Sequence, residues 1–183
     1  MADPITGTII AATRSDEEFF DALSAAPTTI FDLNPDILTV AGKLRRAHEA
    51  GKRLLLHIDL ARGIGRDESG IRYLGRLGAD GIISTKTNLV KQAREQGLLT
   101  VQRFFILDSR SVESTIEALR ASHPDHIEIM PGLLPKTIRK LKDLTDIPLI
   151  AGGLIETPEE VAEALVAGAA AVSTGRRVLW SMR

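Results

Sequence analysis

The chain has 183 residues, 44% of them apolar, and a formal net charge of −1 at pH 7. This composition suits one globular domain over residues 1–183 and excludes a protein that holds nucleic acid through its overall charge. The absence of cysteine excludes disulfides and thiolate catalysis. Apolar runs fall short of the roughly 18 residues of a membrane span and no secretory signal pattern opens the chain, so we expect a cytoplasmic protein.

Short runs rich in Ile, Val and Leu alternate with longer segments of helical period, which predicts a parallel sheet with crossover helices. In chain order the eight runs are GTIIAA from Gly7, TTIFDL from Thr28, RLLLHID from Arg53, DGIIST from Asp80, LLTVQRFF from Leu98, HIEIM from His126, PLIAGG from Pro148 and AAVST from Ala170. Residues 15–18 and 157–160 have the spacing of helix capping boxes, the second with proline at the first helical position.

Eight β/α units in one uninterrupted α/β domain predict a compact single-domain (β/α)8 TIM barrel. At about 23 residues per unit the loops must be short, since this is below the usual size of the fold. The alternative is an open doubly wound sheet with fewer strands, and the strand count distinguishes the two.

Polar residues near the carboxyl ends of the runs indicate a site at the barrel mouth, where the functional sites of such barrels are built. In the third run, Leu54, Leu56 and Ile58 form one apolar set, which turns His57 and Asp59 toward the barrel axis. The same reasoning selects Ser84 and Lys86 in the fourth run, Thr100 and Gln102 in the fifth, and Glu128 in the sixth. The alternative is that these are hydrogen-bonded polar residues of the barrel core.

Glycines after the last two runs favour a phosphate site. Gly152 and Gly153 follow the seventh strand, and Ser173, Thr174 and Gly175 follow the eighth. Barrels commonly bind phosphate there, because glycine lets the backbone approach an anion and a helix start adds free N–H groups. The competing interpretation is that the glycines only make tight turns.

Six segments in order carry a resemblance to a known family. They are HIDL, GADGIISTK, QRFFILDS, IEIMPGLLPK, IPLIAGGLI and AVSTGRRVLW, and they span most of the chain from His57 to Trp180. The chain resembles the bacterial glycerol uptake operon antiterminator regulatory proteins, the glycerol-3-phosphate-responsive antiterminators. The resemblance implies a small barrel that senses glycerol 3-phosphate as its effector, without a further cofactor or metal. It also implies action on the leader mRNA of glycerol genes to permit transcriptional read-through.

Carried onto this sequence, the resemblance implies a set of ligand contacts. These are His57, Asp59, Ser84, Lys86, Gln102, Arg103, Glu128, Gly152, Gly153, Ser173, Thr174 and Gly175. Strand alternation aims Arg103 away from Gln102 unless the strand ends there. Arg176 and Arg177 replace the small polar residues that are more usual in the family, and they either strengthen the anion site or lie in solvent.

Arg14 follows the first strand and is expected near the ligand mouth. RNA contact is a separate question, because it needs a local basic patch. The candidates cluster around the second helix: Lys43, Arg45, Arg46, Lys52 and Arg53.

Two enzyme classes remain as alternatives to a regulator. A phosphosugar isomerase or aldolase would use Lys86 or His57 as base with Asp59 or Glu128 as its partner. A phosphodiesterase would need a metal ion, and the sequence has no two-histidine motif at metal-binding spacing.

Near the C-terminus, Leu179 and Trp180 either complete the outer layer of the barrel or make a contact in a homo-oligomer.

Overall fold

The computed structural model describes residues 5 and 7–182, in which eight parallel strands close into a barrel. The strands are β1 (Ile9–Thr13), β2 (Thr29–Asp32), β3 (Arg53–His57), β4 (Gly81–Ser84), β5 (Leu99–Phe105), β6 (His126–Met130), β7 (Leu149–Gly152) and β8 (Ala171–Thr174). Each strand pairs with its sequence neighbours, and β8 pairs with β1 to close the ring. The predicted (β/α)8 barrel is confirmed, and the open-sheet alternative is excluded.

Helices cover the outside of the barrel. They are α1 (Asp16–Ser24), α2 (Val40–Glu49), α3 (Glu68–Arg76), α4 (Thr87–Glu95), α5 (Ser109–Ser122), α6 (Pro135–Leu144) and α7 (Pro158–Val166). Short 3-10 helices follow β3 (Ile58–Leu60) and β8 (Arg177–Ser181). None of the helices in residues 7–182 combines the length and the apolar character needed to cross a bilayer.

The two predicted capping signals begin helices, with one difference between them. Thr157 and Glu160 form a complete capping box before α7: the Thr157 hydroxyl accepts from Glu160 N–H, and the Glu160 carboxylate accepts from Thr157 N–H. At α1 the Ser15 hydroxyl accepts from Glu18 N–H at 3.2 Å, but the Glu18 carboxylate accepts from the backbone N–H of Arg14. The α1 cap is therefore half of the predicted box, and it ties the start of the helix to the end of β1.

The strands are buried on both faces, as expected of a parallel barrel. One apolar cluster fills the barrel interior: Ile10, Ala12, Phe31, Leu33, Leu55, Ile83, Leu99, Val101, Ile150 and Ala171. A larger cluster packs the outer strand faces against the helices and includes Leu179 and Trp180, whose indole N–H donates to the carbonyl of Thr174. Leu179 and Trp180 therefore complete the outer layer. The interior becomes polar toward the carboxyl ends of the strands.

Candidate ligand-binding site

A buried ion pair crosses the barrel interior near its carboxyl end. The register places Arg103 of β5 beside Glu128 of β6, and Arg103 Nε donates to Glu128 Oε2 at 2.6 Å. The other carboxylate oxygen, Oε1, accepts from the Ser173 hydroxyl of β8 at 2.5 Å. Glu128 has no exposed surface, so both of its oxygens are matched by donors, as a buried carboxylate requires. Three predicted site residues thus form one network.

Gly152 lies between the two partners of this network and is buried. A Cβ atom on Gly152 would lie 2.4 Å from Glu128 Oε1 and 2.7 Å from Ser173 Oγ. The missing side chain therefore leaves space for the hydrogen bond between them. The glycine pair predicts a phosphate cradle that includes Gly152, but in the structure Gly152 is outside the cavity lining and packs against Glu128 and Ser173.

A cavity of about 360 Å³ opens above the network. It is bounded by the ends of β1, β2, β5, β6, β7 and β8 and by the loops that follow some of them. Its lining consists of Ala12, Arg14, Glu18, Leu33, Arg103, Glu128, Met130, Gly153, Leu154, Ile155, Glu156, Ser173, Thr174, Gly175 and Arg176. Six of the predicted ligand contacts are among them, together with Arg14, which the sequence placed at the mouth.

Two glycines form the rim of this cavity after β7 and β8. Gly153 has a φ of +74°, and a Cβ there would lie 2.7 Å from Met130 Cε, so only glycine fits without strain. At Gly175 a Cβ would lie 3.3 Å from Arg14 Nη1, which brings the Arg14 guanidinium close to this backbone. Arg176 follows and forms an ion pair with Glu156 across the mouth. The rim therefore combines backbone approach with two guanidinium groups, Arg14 and Arg176, and two carboxylates, Glu18 and Glu156.

His57 is buried inside the barrel at the end of β3, and it is 4% exposed. Within the described part of the chain neither ring nitrogen has a hydrogen-bond partner, and Nε2 lies 3.7 Å from Asp59 Oδ2. Burial and the charge of Arg103 lower the pKa of His57 to about 4, against the opposing effects of Asp59 and Glu128. The imidazole is therefore neutral at pH 7 and retains one donor and one acceptor.

Asp59 organises the turn after β4 and does not line the cavity. Its Oδ1 accepts from the Ser84 hydroxyl at 2.6 Å, and its Oδ2 accepts from the N–H and hydroxyl of Thr85, both at 2.7 Å. Burial alone would raise the pKa of Asp59, but these hydrogen bonds outweigh it and lower the pKa. Ser84 Oγ also accepts from Lys86 N–H, while the Lys86 side chain is exposed at the start of α4. Asp59, Ser84 and Lys86 thus form a separate corner beside the cavity.

The expected orientations of β4 and β5 are wrong. In β4, Ile83 lies in the barrel interior, so Ser84, which shares its side of the strand with Ile82, faces the outer layer. Leu99 and Val101 point into the barrel, and therefore so does Arg103. Gln102 faces the helices, where its amide donates to Thr87 Oγ1 at 3.1 Å and its carbonyl accepts from Ser122 Oγ at 2.5 Å. The physical reason is that both faces of β5 are buried: its apolar residues Leu99 and Val101 fill the barrel interior, and its polar residues find hydrogen-bond partners on the outer face, so polarity does not mark the inward side. Thr100, at the same parity, bonds to Asp125, so neither Thr100 nor Gln102 reaches the mouth.

The structure disperses the basic cluster predicted around α2. Lys43 is buried and pairs with Asp32 and Asp16, whose charges and hydrogen bonds outweigh the effect of burial and raise its pKa. Lys52 is buried against the carbonyl oxygens of Ala25 and Pro27, and burial lowers its pKa.

Of the remaining members, Arg53 is half-buried, and Arg45 and Arg46 are exposed. Arg177, the second arginine after β8, pairs with Glu17 and Asp21 of α1 and does not line the cavity.

Several lining residues escaped the sequence analysis, notably Met130, Leu154, Ile155 and Glu156. All of them lie at or directly after the ends of β6 and β7. Their position at a strand end was the available signal, and their mainly apolar character concealed it. Within residues 5 and 7–182, no group of three or more His, Asp and Glu side chains is arranged to hold a metal ion.

Comparison with known proteins places this chain in a family. The family model described as glycerol-3-phosphate responsive antiterminator matches residues 9–180. The crystal structure of the glycerol uptake operon antiterminator regulatory protein of Listeria monocytogenes str. 4b F2365 is 32% identical, covers 100% of both chains and has a TM-score of 0.93. A glycerol uptake operon antiterminator-related protein from Thermotoga maritima MSB8 is 36% identical over 96% of this chain and 98% of its own, with a TM-score of 0.86.

The protein YgcP of Escherichia coli K12 is 35% identical over 175 residues, which is 95% of this chain and 92% of YgcP. Solved aldolases and a decarboxylase share the fold at 12% to 18% identity, and that likeness shows the barrel alone. The match over nearly the whole chain and the shared architecture lead to one conclusion: this chain belongs to the family of glycerol-3-phosphate responsive antiterminators.

Proposed function

We propose that this chain binds glycerol 3-phosphate in the 360 Å³ cavity and regulates glycerol genes by antitermination. The observation that carries the proposal is the rim, where Gly153 and Gly175 bring two backbone segments to the cavity beside Arg14 and Arg176. In barrels of this kind the loops after the seventh and eighth strands commonly hold phosphate. The family match supports the identity of the ligand.

The proposed orientation follows from the charges on the two levels of the cavity. The phosphate lies at the rim, where the guanidinium groups of Arg14 and Arg176 offset its negative charge. The glycerol hydroxyls point inward to Glu128, Arg103 and Ser173, whose polar atoms lie below the rim. A glycerol without phosphate keeps only the inner contacts, so the phosphate should dominate the affinity.

The proposed output is read-through of a leader mRNA, which places the protein in the cytoplasm. Glycerol 3-phosphate acts in this proposal as an effector that is bound and released unchanged. His57 is outside the cavity lining, and an imidazole with a pKa of about 4 is a weak base at pH 7, so His57 is a poor candidate for a catalytic base. Lys86, the other candidate base, is exposed outside the cavity lining.

A thermal-shift titration tests the ligand assignment. Glycerol 3-phosphate at about one hundred times its dissociation constant should stabilise the fold by roughly 2.7 kcal/mol. Glycerol should have little effect, and inorganic phosphate should give a smaller shift. Equal stabilisation by glycerol and its phosphate would contradict the proposed phosphate site.

The enzyme alternative has its own assay. Incubation with triose and pentose phosphates, followed by detection of isomerised or cleaved products, should give no turnover above the rate of a Lys86→Ala variant. If the wild-type chain turned over such a substrate and the Lys86 or His57 variants did not, the regulatory proposal would be wrong and the chain would be a phosphosugar enzyme.

A further inference from the structure

Helix α6 carries the strongest positive charge of the described helices. Its ten residues contain four cations, Lys136, Arg139, Lys140 and Lys142, and one carboxylate, Asp143, for a net charge of +3. The whole chain has a net charge of −1, so the other 173 residues carry −4. The most positive of the other helices is α2 with +2, and one of its cations is the buried and paired Lys43. Among the described helices, α6 is therefore the one with the largest excess of positive charge.

The arrangement of residues on α6 directs these charges to solvent. Ile138 and Leu141 are buried against the barrel. Lys136, Arg139 and Lys140 are exposed and stand three and four positions apart, so they form neighbouring groups on the opposite face. Within residues 7–182 none of the four α6 cations forms one of the observed ion pairs. Unpaired cations on one helix face are free to contact a polyanion.

We infer that the exposed face of α6 is the surface that contacts the RNA backbone, an inference that rests on the proposed antitermination function. Clustered Lys and Arg side chains neutralise RNA phosphates and release their counterions, which a protein of net negative charge achieves only with a local patch. Leu133, two residues before α6, is 37% exposed, and Phe105 at the end of β5 is 55% exposed. Phe105 pairs in register with Met130, which leads into the loop before α6, and an exposed aromatic ring offers a face on which an unpaired base can stack.

The same loop connects α6 to the ligand cavity. Gly132 N–H donates to the carbonyl of Gly153 at 3.1 Å, and a Cβ on Gly132 would lie 2.6 Å from Ile155 Cδ1 and 3.0 Å from Gly152 N. The segment before α6 is therefore packed directly on the backbone of the proposed phosphate rim. An effector that orders Gly153 also restrains the start of α6, which gives the ligand a physical route to RNA affinity.

The test is RNA binding by a triple variant and a matched control. The probe is the transcribed leader of the glycerol genes, with a scrambled transcript of equal length, measured by fluorescence anisotropy over a salt series with and without glycerol 3-phosphate. Lys136→Ala/Arg139→Ala/Lys140→Ala should lower the leader affinity about tenfold or more and reduce the slope of log affinity against log salt by about 2. The control, Arg45→Ala/Arg46→Ala, removes two exposed charges from α2, which lies opposite α6 in the eight-strand ring, and should leave the leader affinity within about twofold.

Two further readouts separate the explanations. The triple variant should retain the full thermal shift with glycerol 3-phosphate, and Lys136→Arg/Lys140→Arg should retain RNA binding, because charge and not packing is the proposed cause. Unchanged leader affinity in the triple variant, or a larger loss in the α2 control, would overturn the inference while the proposed function stands. Unchanged RNA affinity with lost read-through would assign α6 to a protein partner instead. No leader binding by the wild-type chain, with or without ligand, would overturn the proposed function and this inference together.

Discussion

Acidification should destabilise the barrel through His57. In the folded chain the pKa of His57 is lowered to about 4, mainly by burial, from an ordinary value of 6.5. The unfolded chain therefore takes up the proton first as the pH falls. The contribution of neutral His57 to stability is complete above pH 6.5 and is lost progressively as the pH falls toward 4.

The size of this effect follows from the pKa difference between the two states. A change in pKa from 6.5 to about 4, at about 1.4 kcal/mol per pKa unit, corresponds to roughly 3.5 kcal/mol of unfolding free energy in total, of which about 3 kcal/mol is lost between pH 7 and pH 4. His126 is similarly buried, and burial also lowers its pKa to about 4. The contribution of neutral His126 to the stability of the fold is therefore lost over the same pH range. The pH dependence of the wild type alone therefore does not isolate His57.

The assay is urea unfolding of the wild type and of His57→Asn at intervals between pH 7.5 and 4. The stability of the wild type minus that of the variant should decrease by roughly 3 kcal/mol from pH 7 to pH 4, because only the wild type loses the His57 contribution. His126→Asn is the matched control, and it should leave the His57-dependent part unchanged. A difference between wild type and His57→Asn that stays constant over this range would refute a buried, neutral His57.

Three substitutions test the site further. Gly153→Val should abolish the thermal shift caused by glycerol 3-phosphate. Because Gly153 has a positive φ, the substitution should also lower the stability of the apo protein by about 1 to 3 kcal/mol, so the apo and liganded melts of each variant are compared. A full ligand shift in the variant would make this glycine only a turn residue. Gly152→Ala should lower the free energy of unfolding, measured with urea, by about 1 to 3 kcal/mol, because the new Cβ enters occupied space. The control is Gly42→Ala, which should not destabilise the fold, since no atom lies within 4 Å of its Cβ. Equal effects of the two substitutions would contradict the packing described. Glu128→Met should lower the free energy of unfolding by about 3 to 5 kcal/mol, because it leaves Arg103 buried and unpaired. The double variant Glu128→Met/Arg103→Met should recover part of that stability, whereas additive losses would argue against a coupled pair.

The strand count was predictable because each run of β-branched and leucine residues ended at recognisable turn and capping signals. The orientation of β3 and β6 was also predictable, since Leu54 and Leu56 flank one inward position and Ile127 and Ile129 flank Glu128. The same reasoning failed at Ser84 in β4 and at Gln102 in β5. Both faces of a strand in a parallel barrel are buried, so a polar residue can be hydrogen-bonded on the outer face as well as at the mouth, and alternation alone does not give its direction.

The division of the site into a cavity and a neighbouring corner was not predictable from the sequence. Gly152 and Gly153 are adjacent in the chain, but one admits a buried hydrogen bond and the other forms the rim. That difference depends on contacts with Glu128, Ser173 and Met130, which are separated from the glycine pair by about 20 residues of chain. Likewise, Asp59 resembled a ligand group until its three acceptor contacts to Ser84 and Thr85 were visible.

The most direct measurement of the central claim is an NMR titration of the ¹⁵N-labelled protein with glycerol 3-phosphate. Gly153 and Gly175 line the rim of the cavity, so their backbone amide resonances should shift most and should saturate with a single dissociation constant. Glycerol at the same concentrations should leave these two amides nearly unchanged. Large shifts at Thr85 and Lys86 beside β4, with Gly153 and Gly175 unaffected, would contradict the proposed site and place the phosphate at the neighbouring corner.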